Sequence, residues 1–167
     1  VNHPTAAACD GRLYVHGGFT AAGALSDPTS ALQEYKPDRN RWRRLPDSPT
    51  SRAAHALGVI GDSLYAAGGA DDTNAQLTEL EIYDISEREW TTGPDLNVGR
   101  NHVGATVQDG RLYVLGGRDG RGGDFNVVER YDPRAGSWET LAPLVTARSG
   151  FVAVTVRGKV VAYGGEQ

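Results

Sequence analysis

The sequence predicts an all-β protein in which one strand-rich unit is repeated along the chain, and three observations support this. Glycine pairs recur at even intervals, and the spacings of their first members are 51, 48 and 48 (68−17, 116−68, 164−116). Tryptophans recur with a spacing of 48 (90−42, 138−90), each seven positions after a tyrosine and ten before an arginine. Helical periodicity is absent from the sequence, and short runs of β-branched and aromatic residues, bounded by turn residues, recur instead. Such a long, regular period indicates that one supersecondary unit is arrayed several times.

The first two strands of the unit are clearest in the second repeat. Residues 53–60 (AAHALGVI) are apolar on both alternations, as expected of a strand covered on both faces, and we call this strand a. A turn at Gly61 and Asp62 leads to strand b, residues 64–67, which ends at a glycine pair. The other repeats carry, at the same turn, dipeptides that suit positive φ. These are Asp10-Gly11, Asp109-Gly110 and Arg157-Gly158.

Two further strands complete the unit. A segment of variable length follows the glycine pair, strand c ends at the tyrosine, and strand d opens with the tryptophan. A proline-containing connection then leads to the arginine and the next strand a. In an antiparallel meander the a–b and c–d turns lie on one face, and the b–c and d–a connections share the other. We expect function on this second face, because it carries the variable loops and the arginines.

The double glycine after strand b, the tyrosine and tryptophan seven positions apart and the following arginine together resemble the kelch repeat. The resemblance covers essentially all of residues 1–167 and implies a β-propeller in which each repeat forms one four-stranded antiparallel blade. Glycines would allow close backbone approach, and aromatic rings would fill the space between blades. The structural residues would be Gly17, Gly18, Gly68, Gly69, Gly116, Gly117, Gly164, Gly165, Tyr35, Tyr83, Tyr131, Trp42, Trp90 and Trp138.

The repeats predict a partial propeller of three blades and half of a fourth. Residues 1–51, 52–99 and 100–147 form complete units, and residues 148–167 supply only strands a and b. Propellers that resemble kelch proteins usually close with about six or seven blades, so this chain would leave open sheet edges. We expect the remaining blades to come from a longer chain or from a second chain. The absence of methionine likewise suggests a processed protein or a piece of a longer one.

Composition narrows the class of function. The net charge of −4 and the isoelectric point near 5.5 argue against a nucleic-acid-binding protein. No apolar run is long enough to span a bilayer, and no signal peptide is recognisable. The single cysteine, Cys9, excludes an internal disulfide framework. Nothing in the composition assigns a cellular compartment.

Three arginines, Arg52, Arg100 and Arg148, share one phase of the repeat, at the start of the innermost strand and so around the mouth of the central channel. The guanidinium fork suits carboxylates, and arginines at similar positions contact ligand carboxylates in kelch domains that bind acidic peptides. As ligand contacts they would make the mouth electropositive. The alternative is that each arginine bonds carbonyl groups of an adjacent blade and belongs to the architecture.

Polar residues follow the arginine phase within one to three positions. We expect His55, Asn101 and His102 to contribute to a polar lining, together with Asn2 and His3 of the first repeat, and His102 to be able to titrate. A metal site is not predicted, because His3 and His102 belong to blades that are not adjacent and no Cys or His-x-His cluster accompanies them.

The loops after the glycine pairs form a further group of candidates, and Arg118 is the residue there that we expect to contact a ligand. The run GGRDGRGG (residues 116–123) lacks the Gly-Lys-Ser/Thr ending of a phosphate loop and opens no helix. The adjacent Asp71 and Asp72 lack the spaced oxygen ligands of a calcium loop. A solvated loop is the alternative for this group, whose other members are Phe19, Asn74, Asp119, Arg121 and Asp124.

Three hypotheses about function follow. The leading one is a binding module without catalytic residues, metal or cofactor, whose arginine-containing pocket takes an acidic peptide, a protein or another anionic partner, since no nucleophile, base and orienting group share a phase. The second is an enzyme: some bacterial kelch propellers isomerise sialic acids, and here Arg100 would hold a carboxylate while His102 moved a proton. A copper site resembling that of galactose oxidase is disfavoured, because Cys9 lies near the a–b turn, on the opposite face. The third is a structural propeller that packs against other domains.

Overall fold

The computed structural model describes residues 1–21, 25–73 and 75–166, which fold into four successive antiparallel sheets. Each sheet is built from strands that are consecutive in the chain, in the spatial order of the sequence. The first sheet contains β1 (Thr5–Cys9), β2 (Arg12–His16), β3 (Leu32–Lys36) and β4 (Arg41–Leu45). The second contains β5 (Ala56–Ile60), β6 (Ser63–Ala67), β7 (Leu80–Asp84) and β8 (Glu89–Thr92). The third contains β9 (Gly104–Gln108), β10 (Arg111–Leu115), β11 (Val128–Asp132) and β12 (Ser137–Leu141), and the fourth contains β13 (Val152–Val156) and β14 (Lys159–Tyr163).

These sheets, which we call blades 1 to 4, confirm the prediction of three four-stranded blades and one hairpin in an all-β partial propeller. The innermost strands β1, β5, β9 and β13 lie side by side. Apart from a 3₁₀ turn at Pro37–Arg39, no helix occurs in the part of the chain that is described, and nothing there has the helical length and apolar character needed to cross a membrane.

The hydrophobic core lies between blades. Tyr65 and Leu80 of blade 2 pack against Leu112, Val114 and Tyr131 of blade 3, and an equivalent cluster joins blades 1 and 2. Burial of a large aliphatic or aromatic side chain contributes about 1.5–3 kcal/mol, so each blade depends on its neighbour for much of its stability.

The tryptophans add a polar link to this packing. The indole N–H of Trp90 donates to the carbonyl of Pro46, and that of Trp138 donates to the carbonyl of Pro94, at 3.0 and 2.8 Å. Each bond joins strand d of one blade to the d–a connection of the preceding blade. Trp42, in blade 1, is 51% exposed.

The glycine pairs allow neighbouring blades to approach through their main chains. The second glycine of a pair donates its N–H to the carbonyl of the arginine phase in the next blade, as Gly117 does to Arg148 at 2.9 Å. Its partner Gly116 has a φ of +53°, and a Cβ there would lie 2.6 Å from the Arg148 carbonyl oxygen. Glycine is therefore required at this position both for its backbone conformation and for the space that it leaves.

A comparison of Gly116→Ala with Gly110→Ala tests this dual requirement. Gly110 also has positive φ, +69°, but a Cβ there meets nothing within 4 Å. We expect Gly110→Ala to cost about 1–2 kcal/mol from conformation alone, and Gly116→Ala to cost about 2–4 kcal/mol because steric overlap is added. Urea unfolding of both variants measures the difference. Equal losses would show that close approach of the blades contributes nothing.

A run of three main-chain hydrogen bonds links the four blades near the start of their innermost strands, at the expected mouth of the channel. His3, Ala54, His102 and Gly150 each lie two residues after the arginine phase, with φ values of +55°, +54°, +52° and +60°. Ala54 N–H donates to the His3 carbonyl, His102 N–H to the Ala54 carbonyl and Gly150 N–H to the His102 carbonyl, at 3.0, 2.8 and 2.8 Å. One residue of each blade is thereby held next to its counterpart in the neighbouring blade.

Candidate functional site at the channel mouth

Arg100 is fully buried, with 0% exposure. Its Nε donates to the Gly116 carbonyl at 2.9 Å, its Nη2 to the Val114 carbonyl at 3.1 Å, and its Nη1 to the Val98 carbonyl at 2.7 Å and to the Glu129 carboxylate. A ligand on this face therefore cannot reach the guanidinium. The positive charge of Arg100 is neutralised by the buried Glu129 carboxylate.

Arg52 has the same environment one blade earlier. Its Nη1 donates to the carbonyls of Gly68 and Glu79 at 2.9 and 3.0 Å, and its Nη2 lies 2.9 Å from a carboxylate oxygen of Glu81. The expected electropositive ring thus does not hold for Arg52 and Arg100, because both side chains point into their own blade. Both belong to the architecture, but they bond carbonyl groups of their own blade, whereas the alternative drawn from the sequence expected those of an adjacent blade.

Arg148, in the fourth hairpin, is half-buried, and its Nη1 donates to the Gly164 carbonyl at 2.8 Å. Among the residues that the structure describes, it has no carboxylate partner. Like Arg52 and Arg100, it donates to the carbonyl of the first glycine in its pair, but it lacks the ion pair that those two arginines form.

The carboxylate partners of the arginines were not identified from the sequence, although it contains a signal. Glu81 follows Arg52, and Glu129 follows Arg100, at the same spacing of 29 (81−52 and 129−100). The first repeat, which has Val1 in the arginine phase, carries Gln33 in the glutamate phase. Charge is thus present in both positions or in neither, as expected of residues that form a buried ion pair.

His55, expected to line the mouth, is buried between blades 1 and 2. Its Nε2 lies 2.9 Å from His16 Nδ1 and 2.6 Å from Thr5 Oγ1, and His16 Nε2 lies 2.9 Å from Ser48 Oγ. Burial lowers the pKa of His16 to about 3 and that of His55 well below its ordinary value, so both imidazoles are neutral. The ring of His55 thus joins an internal hydrogen-bond network beside the cavity between the innermost strands that this residue helps to line.

Asn101, His102 and Arg118 are brought together by the structure, and we call them the mouth site. Arg118 Nη2 donates to His102 Nε2 at 3.0 Å, so the imidazole proton is on Nδ1, which donates to Asn101 Oδ1 at 2.5 Å. Asn101 Nδ2 in turn donates to Gln76 Oε1 at 2.5 Å. This series of hydrogen bonds runs from Gln76 to the Arg118 guanidinium, and each side chain in it orients the next.

Electrostatics keep His102 neutral and leave Arg118 as the accessible charge. Burial, followed by the nearby Arg118 and His3, lowers the pKa of His102 to about 4. The Arg118 side chain is 25% exposed and its contact with Glu166 is long, 3.4 Å, to a carboxylate that is 76% exposed. An incoming carboxylate can therefore displace Glu166 at little cost.

His3 and His102 were expected to lie apart, because their blades are not adjacent, but their rings are in contact. The ring centroids are 4.7 Å apart in an edge-to-face arrangement, and the centroid of the Phe19 ring lies 6.1 Å from that of His3. The main chains of both histidines are hydrogen-bonded to Ala54 of blade 2. Within the described ranges, no group of three or more His, Cys, Asp or Glu side chains is arranged to hold a metal ion.

The loop carboxylates mainly organise their own loops. Asp71 Oδ1 accepts hydrogen bonds from the main-chain N–H groups of Thr73 and Ala75, both at 2.8 Å. Asp119 Oδ1 accepts from Arg121 and Gly123, and the bonds from Gly123 and then Arg121 lower the pKa of Asp119. This agrees with the solvated-loop alternative. Asp72 and Arg121 are exposed, Asp124 is half-buried, and Asn74 lies outside the described residues.

The mouth site opens into a cavity of about 190 Å³, which is also lined by Leu25, Asp119, Gly120 and Gly122. This volume is below the range of about 300–1,000 Å³ typical of small-molecule sites. It suits one carboxylate-bearing side chain better than a whole cofactor or a large sugar.

Comparison with known proteins gives a consistent picture of the fold. A family described as the Attractin/LZTR1 beta-propeller matches residues 2–125. Human Kelch-like protein 33 is 36% identical over 77 residues, which are 46% of this chain and 14% of that protein. An N-acetylneuraminate epimerase of Haemophilus influenzae (strain PittEE) is 38% identical over 73 residues, 42% of this chain and 19% of the epimerase.

The solved structure of YjhT superposes with a TM-score of 0.86 at 19% identity, over 98% of this chain and 58% of YjhT. At this identity the likeness shows the fold alone. The chain spans 14% and 19% of the two curated relatives, so it corresponds to a small part of each.

Proposed function

Because the chain belongs to the Attractin/LZTR1 β-propeller family and is a kelch-repeat propeller module, we propose that it binds an acidic peptide or protein segment through the mouth site. The observation that carries the proposal is the Arg118 guanidinium, which is oriented by His102 and accessible at a small cavity, while the charges of Arg52 and Arg100 are buried and paired.

The chemistry of the mouth site suits a carboxylate. A guanidinium donates parallel hydrogen bonds to the two carboxylate oxygens, and the neutral imidazole holds it without adding a competing charge. His3, beside His102, offers an exposed ring against which the stem of an acidic side chain can pack. The small cavity favours the tip of a single side chain, with the rest of the peptide lying across the surrounding loops.

A second candidate is action on a sialic acid, which is favoured by the 38% identity with an N-acetylneuraminate epimerase over 73 residues. The pairing of Arg100 with His102 that the sequence suggested cannot serve, since Arg100 is buried. Arg118 would have to hold the sugar carboxylate. His102 would be a weak general base at neutral pH, because its pKa is about 4 and its Nε2 lone pair already accepts from Arg118. The geometry therefore favours binding.

We also propose that further blades, from a longer chain or a second chain, cover the outer face of blade 4. Val152, Val156 and Tyr163 are 58%, 50% and 79% exposed there, on one face of the hairpin. The corresponding residues of blade 2, Ala56, Ile60 and Ala67, pack against blade 3. Exposed apolar faces of this kind indicate a partner surface.

Titration of the labelled protein with an acetylated and amidated Gly-Glu-Gly-Glu-Gly peptide, followed by NMR, tests the binding function. We expect shifts of the Asn101, His102 and Arg118 amides, and a loss of affinity of about tenfold or more in Arg118→Gln, because a charge-assisted hydrogen bond is removed. Arg121→Gln, an exposed arginine three residues away, is the matched control and should bind normally.

Three results would contradict the proposal: no binding to the wild type, equal binding by Arg118→Gln, or equal losses in both variants. N-acetylneuraminic acid serves as a second probe. Acceleration of its anomer exchange by the wild type but not by Arg118→Gln would support the enzymatic candidate instead.

A further inference from the structure

The outer edge of blade 1 differs in charge from the outer edges of the other complete blades. Strand β4 has the sequence RWRRL, and its three arginines are exposed. At the same place, β8 reads EWTT and β12 reads SWETL, without a basic residue. The tryptophan is common to all three strands, so the blade architecture requires the tryptophan but not the arginines.

The positive charge of this edge is only partly neutralised. Residues 36–47 (KPDRNRWRRLPD) contain five basic and two acidic residues, a net charge of +3 in a protein of net charge −4. The buried Glu34 carboxylate is shared by three cations: Arg12 at 3.1 Å, Arg43 at 3.0 Å and Lys36 at 3.7 Å. Arg44 pairs with Asp47, whereas Arg41 has no ion pair among the residues described.

Strand β4 also has an unpaired edge. It is the last strand of its sheet, and in the described chain it pairs only with β3. Main-chain N–H and C=O groups on its outer side are therefore available to another strand. An edge with this charge repels a second copy of itself, which leaves an oppositely charged strand as the matching occupant.

The register defines how such a strand would be recognised. Arg41 and Arg43 pair with Lys36 and Glu34 of β3, so these side chains share one face of the sheet. Trp42, paired with Tyr35, is on the opposite face and is 51% exposed. An incoming strand with carboxylates at alternate positions would face the arginines, and its intervening side chains would lie on the tryptophan side.

We propose that β4 is a docking strand for an acidic, extended polypeptide, which adds to blade 1 as a fifth strand. Main-chain pairing supplies the fit to an extended backbone, and Arg41 and Arg43 select alternating carboxylates. A nucleic acid or another polyanion matches the charge but cannot pair with the free edge. This surface lies on the outer rim and does not depend on the mouth site.

Binding of the probe peptide acetyl-Val-Glu-Val-Glu-Val-Glu-Val-amide to the labelled full chain tests the proposal. We expect amide shifts in β4 and a change in Trp42 fluorescence. The double variant Arg41→Gln/Arg43→Gln should bind at least about tenfold more weakly. It should still fold, since Arg12 and Lys36 keep their contacts with Glu34.

A matched control and a local readout separate this site from the mouth site. Affinity is taken from the β4 amide shifts, and Arg134→Gln, at an exposed turn of blade 3, should bind the probe there within about twofold of the wild type. Equal binding by the double variant would overturn the proposal. So would equal affinity for a peptide in which the inner valines are replaced by proline, or for a DNA oligonucleotide of similar charge, because charge alone would then account for binding.

Discussion

Replacing Arg100 by alanine is expected to destabilise the protein by about 3–5 kcal/mol. The change would leave the Glu129 carboxylate buried without its counterion, and it would remove the donors to the carbonyls of Gly116, Val114 and Val98. Urea unfolding followed by tryptophan fluorescence measures the loss. Arg121→Ala, at an exposed loop position, is the control and should change stability by no more than about 0.5 kcal/mol.

A double variant identifies the cause of that loss. In Arg100→Ala/Glu129→Gln the unpaired buried charge is gone, while an amide oxygen can still accept the bonds that Glu129 receives from Asn97. We expect part of the lost stability to be recovered. If Arg100→Ala instead unfolds at nearly the wild-type urea concentration and loses affinity for an acidic peptide, the arginine would be a ligand contact after all.

Mild acid is expected to destabilise the protein through the buried pair His16 and His55. Both have folded-state pKa values below 6.5, about 3 in the case of His16, because burial disfavours the charged imidazole. The unfolded chain takes up protons near pH 6.5 and the folded chain does not, so stability is unaffected well above pH 6.5 and falls as the pH drops below it. Together the two histidines lower the free energy of unfolding by up to about 4 kcal/mol between pH 7.5 and 5.

Urea unfolding at pH 7.5, 6.5, 5.5 and 5.0 measures this slope. In His16→Gln/His55→Gln most of the pH dependence should disappear, whatever the stability of the variant at pH 7.5, because the slope reports titration alone. His102, with a pKa of about 4, adds a smaller contribution of the same sign that His102→Gln removes. An unchanged slope in the double variant would show that both imidazoles already accept protons in the folded state.

The fold was predictable because its determinants are local and repeated. The glycines at Gly116 and Gly117 serve a close approach of main chains that recurs at each blade junction, and Trp138 repeats the carbonyl contact made by Trp90. Such residues keep their spacing because every blade meets the next in the same way. The membership of the chain in a β-propeller family confirms that reading.

The site was only partly predictable, because arginines on the same face have different surroundings. Arg100 turns into the blade to meet Glu129, whereas Arg118 donates to His102 and has a quarter of its side chain exposed. The rings of His3 and His102 are in contact although their blades, 1 and 3, are not neighbours, and the order of blades along the chain does not reveal this contact.

By itself, the sequence determined that this protein is an all-β array of three four-stranded blades and a hairpin, because turn glycines, aromatic spacings and strand periods act over a few residues and repeat. Only the tertiary structure decided which cations are accessible. Burial and ion pairing depend on side chains from distant parts of the chain, such as the carboxylates that neutralise Arg52 and Arg100. The mouth site around Arg118 and the basic edge at β4 are what the packed blades leave exposed.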